Sequence, residues 1–333
     1  MRYIIYGAGG IGCTIGGRLH KAGHDVVLIA RGAHLEAMRA HGLLLRTPEG
    51  DFQLQIPAVG HPNEVTFVPG DVVILTMKTQ DTEAALRDLE LAAGTGIPVI
   101  CAQNGVENER LALRRFANVY AMLVALPATF LEPGVVIASA APLSGVLHGG
   151  RFPSGTDSVI EQVCADINGS HFVSHSDPEV MRFKYRKLLL NLGNALEVAT
   201  QQTAWGASGA LGEFAEELRQ EGLRCFAKAG IEAMPADEYE RRVSVNYKPQ
   251  PIHGKARSAS STRQGLMRGN TVLESDYLNG EIELLGALHG VPTPYNTVVR
   301  RTAVAAAACG EDAPPVGLDE LRAMVAAEVP SAG

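Results

Sequence analysis

A strand, a cluster of glycines and a helix open the chain, and no other feature restricts its fold so strongly. YIIY at residues 3–6 is a short β-branched and aromatic run without charge, the pattern of a buried strand. Gly7, Gly9, Gly10 and Gly12 follow within six residues. Beyond them Ile11, Ile15, Leu19 and Ala22 recur at helical spacing, Gly23 is placed to end the helix, and Asp25–Ala30 again reads as a strand. A G-x-G-x-x-G pattern (Gly7, Gly9, Gly12) set between a strand and a helix makes a dinucleotide-binding turn. The first glycine permits the bend, the second lets backbone N–H groups approach a pyrophosphate, and the third lets helix and strand pack closely. The helix N-terminus then faces the anion. Gly7, Gly9, Gly10, Ile11 and Gly12 are the candidate cofactor-binding residues of this turn. A bare glycine-rich turn is the alternative.

The second strand ends at Arg31, followed by Gly32 and Ala33. A site for NAD carries an acid here to hold the ribose 2′-OH. A guanidinium instead offers paired hydrogen bonds to a phosphate, which a carboxylate would repel. Arg31 therefore points to the 2′-phosphate of NADP(H), against the plainer reading of a solvated loop arginine.

Strand and helix signals alternate onward. His34–His41 reads as a helix, DVVILT (71–76) as a strand, Thr82–Leu91 as a helix, IPVIC (97–101) and Val119–Leu126 as strands, and 132–148 as a hairpin-like segment. Such alternation implies a doubly wound parallel sheet, in which ligands sit beyond the carboxyl ends of the strands. Lys78 and Asn104 lie just past two of those ends. Near Asp177-Pro178 the character changes. Residues 179–229 read as helices, 235–254 as irregular, and 258–290 and 296–309 as helices again, followed by a short helix at 318–327. The expected fold class is α/β: an N-terminal Rossmann domain with a doubly wound parallel sheet (1–178) and a C-terminal all-helical domain (179–333) ending in a short extension.

With 333 residues the chain can form two domains with a large core. A net charge of −7 does not favour a nucleic-acid partner. No apolar run approaches the ~18 residues of a membrane span. The N-terminus reads as the first strand of the fold rather than a signal peptide. Five scattered cysteines form no metal-ligand spacing, so no metal is expected and a cytoplasmic location with reduced thiols is the simplest reading. The apolar faces of a helical domain allow a homodimer.

MRFKYRKLLLNLGN (181–194) carries the densest group of candidates. At about 100° per residue, Lys187, Asn191 and Asn194 fall on one face, with Lys184 at its edge and leucines opposite. Buried amides and ammonium groups require partners, which a ligand would supply; a solvated polar face is the alternative. A second segment, SSTRQGLMRGN and then LESDYLNG (260–280), places Ser260 as a helix cap and Glu274 in a first helical turn.

Together these motifs resemble the ketopantoate reductase (2-dehydropantoate 2-reductase) family, from Met1 to about Cys309. The likeness rests on the glycine cluster, Arg31 in LIARGAHL, Lys78 in TMKTQ, Asn104 in QNGVENE, Lys187 and Asn191 in RKLLLNLGNAL, and Ser261 and Glu274 in the last segment. The resemblance implies NADPH-dependent reduction of a 2-oxo acid to a 2-hydroxy acid, on the route to pantothenate and coenzyme A. It implies Lys187 as general acid and Glu274 as the carboxylate that holds the substrate hydroxyl and orders the lysine. Asn191 and Ser261 match substrate-binding positions, and Asn104 lies near nicotinamide and substrate. Arg31 and Lys78 match the adenosine end of the cofactor. The chain departs from the family pattern at Ala195, where an asparagine is common and Asn194 stands next door, and at Gly265, where the family has an acid. Another Rossmann-plus-helical hydroxyacid or opine-type dehydrogenase, or a non-catalytic NADP(H) sensor, are the competing readings.

Overall fold

The computed structural model describes residues 1–254, 260–269, 271–310 and 313–328, with the backbone alone at position 261. The described chain divides into two compact units, Met1–Lys184 with Met234–Arg257, and Tyr185–Ala233 with Ser258–Gly333.

The first unit runs β1 (Arg2–Tyr6), α1 (Gly10–Lys21), β2 (Asp25–Ile29), α2 (Gly32–His41), β3 (Leu43–Thr47), β4 (Gly50–Leu54), β5 (Ala58–Val59), β6 (Asp71–Leu75), α3 (Thr79–Ala93), β7 (Val99–Cys101), α4 (Asn108–Leu113), β8 (Val119–Met122), β9 (Ala128–Glu132), β10 (Val135–Ala138), β11 (Ala140–Pro142), β12 (Gly149–Arg151) and α5 (Ser158–Asn168). Seven strands form the main sheet in the order β12-β8-β7-β6-β1-β2-β5. Every pair in it is parallel except β12 with β8. The order reverses between β1 and β6, so their carboxyl ends flank the topological switch point, where open α/β sheets bind ligands. Ile4, Ile5, Val73 and Ile74 of these two strands are fully buried, each contributing about 1.5–3 kcal/mol relative to exposure. The Arg2 guanidinium closes the other end with two hydrogen bonds to Asp71, of 2.9 and 2.6 Å.

A second sheet, β4-β3-β10-β9, was not legible as a unit in the sequence. It packs on the far side of α1, and adjacent glycines on that helix make the sandwich possible. A Cβ on Gly16 would lie 2.8 Å from Leu28 of the main sheet, and one on Gly17 would lie 3.1 Å from Leu45 of the small sheet.

The next elements are α6 (Val180–Asn191), α7 (Gly193–Thr200), α8 (Gly209–Ala229), α9 (Ala236–Arg242), β13 (Tyr247–Pro249), α10 (Ser261–Met267), α11 (Asn279–His289), α12 (Pro294–Cys309) and α13 (Leu318–Glu328). The division between units falls inside α6, after Lys184, rather than at residue 178. The irregular segment assigned above to the helical domain returns to the first unit. There β13 pairs antiparallel with β11, the Met234 amide donates to the Arg182 carbonyl at 2.9 Å, and Arg242 pairs with Asp177 at 2.7 Å. What remains in the second unit is all helical among its described residues. Its interior holds a polar chain. Glu221 of α8, fully buried, accepts the backbone N–H groups of Tyr295 and Asn296 at the start of α12. The Asn296 side chain accepts from Asn279, which also donates to the Leu192 carbonyl at 3.2 Å. Burial pushes the Glu221 carboxyl above its usual range, opposed by the amides it accepts from.

Candidate active site

Four candidate groups of the first unit lie on one edge of its sheet. The glycine turn follows β1, Arg31 follows β2, Lys78 follows β6 and Asn104 follows β7. Gly7 has a φ of +95°, and a Cβ there would lie 2.5 Å from the Met77 amide nitrogen. A Cβ on Gly12 would collide with the Thr76 hydroxyl and lie 2.9 Å from Ile5. Around Gly9 the space is open, with nothing nearer than 3.9 Å. The N-terminus of α1 has no side-chain cap and no acid in its first turn, which leaves the N–H groups of Gly10, Ile11 and Gly12 directed out of the helix end. This cradle fits a dinucleotide pyrophosphate. Gly12→Ala is expected to destabilise the protein by about 1–3 kcal/mol through overpacking, read as a lowered urea midpoint; an unchanged midpoint would contradict the close packing.

Arg31 precedes α2, and its side chain is 83% exposed and 3.1 Å from Asp81 at the start of α3. An ion pair this exposed contributes little, so the guanidinium is available to a phosphate. Lys78 precedes α3 with extended dihedrals, and both Lys78 and Asn104 are half-buried. The Asn104 carbonyl accepts from the Asn108 side chain at 3.1 Å.

Beneath these turns lies a buried polar cluster that the sequence did not reveal. Lys184, 3% exposed, makes a short ion pair with Glu109, fully buried on α4. Its ammonium also donates to the carbonyl of Gln103 at 3.0 Å. The Gln103 side chain donates to the Met77 carbonyl at 2.9 Å and to Thr82 at 2.8 Å, and Thr82 donates to Asn108. The ends of β6 and β7, which carry Lys78 and Asn104, are thereby tied together. Lys184 accordingly does not belong to the edge of the Lys187 face, where the helical angles place it. Desolvation holds the Glu109 carboxyl above its ordinary range, with Lys184 pulling the other way.

In the second unit Lys187 is half-buried, with its ammonium 5.6 Å from the centroid of the Trp205 ring. Asn191, one turn on, is buried, and Asn194 is half-buried. The helix is interrupted at Leu192 rather than continuous to residue 194, but Leu192 keeps helical dihedrals (φ −58°, ψ −31°). Leu188, Leu189 and Leu192 are buried, as their side of the face requires. Ala195 is buried as well. Ser260 caps α10, its hydroxyl accepting from the Arg263 amide, and its own amide donates to Glu197 of α7 at 3.0 Å. The start of α10 is thus fixed beside α7; the side chain of Ser261 lies outside the described residues. Glu274, 3% exposed, opens a short 3₁₀ turn that leads into α11, rather than a full helix. A pocket lined by Val198, Gln201, Arg263 and Met267 contains none of these candidates. Among the described residues no helix is long and apolar enough to cross a membrane, and no three His, Cys, Asp or Glu could hold a metal ion.

A dinucleotide cradle in one unit and a lysine–asparagine face in an all-helical other unit define a Rossmann-type oxidoreductase. The comparisons with known proteins narrow the class. Residues 3–150 match the family described as ketopantoate reductase PanE/ApbA, and residues 179–305 match its C-terminal domain. The chain belongs to the ketopantoate reductase family. A 2-dehydropantoate 2-reductase of Pyrococcus horikoshii is 28% identical over 305 residues, covering 89% of this chain and 94% of the relative. A PanE/ApbA family ketopantoate reductase structure from Ralstonia eutropha JMP134 superposes with a TM-score of 0.78 at 27% identity, covering 93% of this chain and 99% of the other. A D-mandelate dehydrogenase structure with NADH and anilino(oxo)acetate shares the fold, with a TM-score of 0.78, 24% identity and coverage of 93% and 99%.

Proposed function

We propose that this protein uses NADPH to reduce the ketone of a 2-oxo acid, ketopantoate (2-dehydropantoate) or a close analogue, to the 2-hydroxy acid, on the route to pantothenate and coenzyme A. The observation that carries the reading is a half-buried lysine and a buried asparagine one turn apart, in a chain that also bears a glycine cradle with an uncapped helix end. NADPH, when bound, supplies the hydride that the carbonyl carbon accepts.

The residues divide the remaining work. The amides of Gly10, Ile11 and Gly12 receive the pyrophosphate, and Gly7 and Gly9 leave it room to approach. Arg31 and Lys78 neutralise charge at the adenosine end. Asn104 serves the nicotinamide end and the substrate. Asn191, Asn194 and Ser261 hold the substrate's carboxylate and ketone by hydrogen bonds. The Lys187 ammonium stabilises the negative charge that develops on the ketone oxygen, then gives that oxygen a proton from Nζ. Glu274 supplies the carboxylate that orders the Lys187 ammonium and holds the substrate hydroxyl. The Rossmann unit, the helical unit and the short C-terminal extension are assigned to cofactor, substrate and neither, respectively. A cytoplasmic enzyme acting on a small molecule, and forming a homodimer through apolar helical faces, completes the reading.

The cofactor assignment is tested at Arg31. Charge-assisted hydrogen bonds contribute about 1.5–3 kcal/mol. Arg31→Ala is therefore expected to lower kcat/KM for NADPH about ten- to hundredfold, with NADH affected about twofold at most. An equal loss for both cofactors, or a wild-type preference for NADH, would contradict it.

A further inference from the structure

We propose that His34 is a positioning residue for the cofactor: its neutral imidazole, protonated at Nε2, holds the glycine turn from beneath and joins it to the start of α2, which follows Arg31. The inference rests on the reading of that turn and of Arg31 as cofactor-binding. His34 stands three residues after Arg31 on α2 and is 7% exposed. A buried polar ring must find partners, and those of His34 lie in two other segments of the first unit.

The Gly134 N–H, in the turn between β9 and β10, donates to Nδ1 at 2.8 Å. An Nδ1 that accepts carries no proton, so the neutral ring bears its hydrogen on Nε2. Nε2 lies 3.5 Å from the Cys13 sulfur, and the Cys13 thiol donates to the Ala8 carbonyl at 3.2 Å. Cys13 and Ala8 are both buried. Donors and acceptors thus run in one direction, from the Gly134 amide through imidazole and thiol to the middle residue of Gly7-Ala8-Gly9. Burial lowers the His34 pKa, with hydrogen bonding to the Ala8 carbonyl pulling the other way. Desolvation therefore favours the neutral ring that this relay uses.

The surrounding contacts join the same pieces. Gly134 has a φ of +76°, and a Cβ there would lie 3.0 Å from the Ala37 methyl on α2. The Phe130 ring of β9 stands 4.2 Å, centroid to centroid, from the imidazole. A Cβ on Gly10 would lie 3.6 Å from the Cβ of Phe130, and one on Gly9 would lie 4.0 Å from its ring. The small sheet therefore flanks the pyrophosphate cradle, and one imidazole links it to the glycine turn and to α2. Arg31 and the left-handed Gly32 (φ +60°) lead directly into that helix. An apolar residue in place of His34 leaves the Gly134 amide without its acceptor and the Cys13 sulfur without its donor. The turn and the start of α2 then lose their common fixed point.

The test titrates the full-length protein with NADPH and follows its steady-state kinetics with ketopantoate, for wild type, His34→Leu, His34→Gln and His34→Asn. Gln can place its amide nitrogen near the position of Nε2, which keeps the link toward Cys13 and Ala8. Asn can place its amide oxygen near that of Nδ1, which keeps only the link to Gly134. His34→Leu is expected to raise the Kd for NADPH about tenfold, the scale of one or two lost hydrogen bonds, while kcat at saturating cofactor moves about twofold at most. His34→Gln should recover most of the affinity and His34→Asn little of it, even where their urea midpoints match. ¹⁵N spectra of the wild type should show His34, identified by the signal that His34→Gln loses, protonated at Nε2 and not at Nδ1. The Gln and Asn comparison and this spectrum stand even if His34→Leu does not fold. A Kd that follows the urea midpoint whichever group is kept, equal recovery by Gln and Asn, or a proton on Nδ1 would overturn the inference. A wild type that binds no NADPH would instead remove the underlying cofactor reading.

Discussion

Lys187→Ala is expected to lower kcat for 2-oxo acid reduction by about 10²–10⁴-fold, the range for removal of a general acid. The ammonium has two tasks at the ketone oxygen, stabilising charge as it forms and then giving up a proton. Alanine performs neither. Affinity for NADPH should be almost unchanged, because the groups assigned to the cofactor belong to the other compact unit. Lys187 is half-buried, but its truncation also removes a counter-charge from the buried Glu274 assigned to it, so urea melts should accompany the kinetics. Lys187→Arg separates the two tasks: a guanidinium retains positive charge but does not release a proton near neutral pH. Its KM should therefore recover more than its kcat. Steady-state kinetics together with a direct NADPH titration would show the pattern, and a kcat within about threefold of wild type would reject Lys187 as the acid.

Lys184→Met is expected to cost about 3–5 kcal/mol of stability at neutral pH, because it strands Glu109 as an uncompensated charge in a fully buried position. The pH dependence follows from the direction of the Glu109 shift. Its carboxyl is already raised by desolvation, and removal of Lys184 raises it further. Between the unfolded and folded values of such an acid, the native state binds more protons than the unfolded chain, so stability falls as pH rises through that window. The penalty is complete above the folded value and disappears below the unfolded carboxylate range. Urea melts of Lys184→Met at acidic and neutral pH should converge on wild type toward acid. Glu109→Gln in the same chain should recover much of the loss. A pH-independent deficit would indicate lost packing rather than a stranded carboxylate. The double variant also tests the tie between the ends of β6 and β7, since the Gln103 carbonyl would still lack its ammonium donor.

How much of this was legible in the sequence depended on how local the determinants are. The βαβ opening was, because a glycine turn between two apolar runs is decided by neighbours a few residues apart. The hairpin around Pro133-Gly134 was, for the same reason: β9 and β10 pair antiparallel across that turn. The sheet formed by β3 and β4 was not, although their burial alternates, since the strands are short and their partner β10 lies about ninety residues on. The return of residues 234–257 to the first unit was hidden because β13 finds β11 across more than a hundred residues. Lys184 shows the limit of helical periodicity. The wheel places it near Lys187, but at the point where one helix passes from one compact unit to the other its partner is Glu109, distant in sequence. Trp205 carried no periodic signal, and only the fold brings its ring near the Lys187 ammonium.

The central claim is that this chain moves a hydride from NADPH to the C2 carbon of a 2-oxo acid. NADPH carrying deuterium at the transferable C4 position, incubated with the wild-type protein and ketopantoate or other 2-oxo acids, tests it most directly through the mass and NMR spectra of the product. The account predicts one deuterium at C2 of the 2-hydroxy acid, in amounts equal to the NADPH consumed, and almost none with Lys187→Ala over the same interval. Oxidised cofactor without deuterium in a 2-hydroxy acid, or cofactor bound and never oxidised, would contradict it.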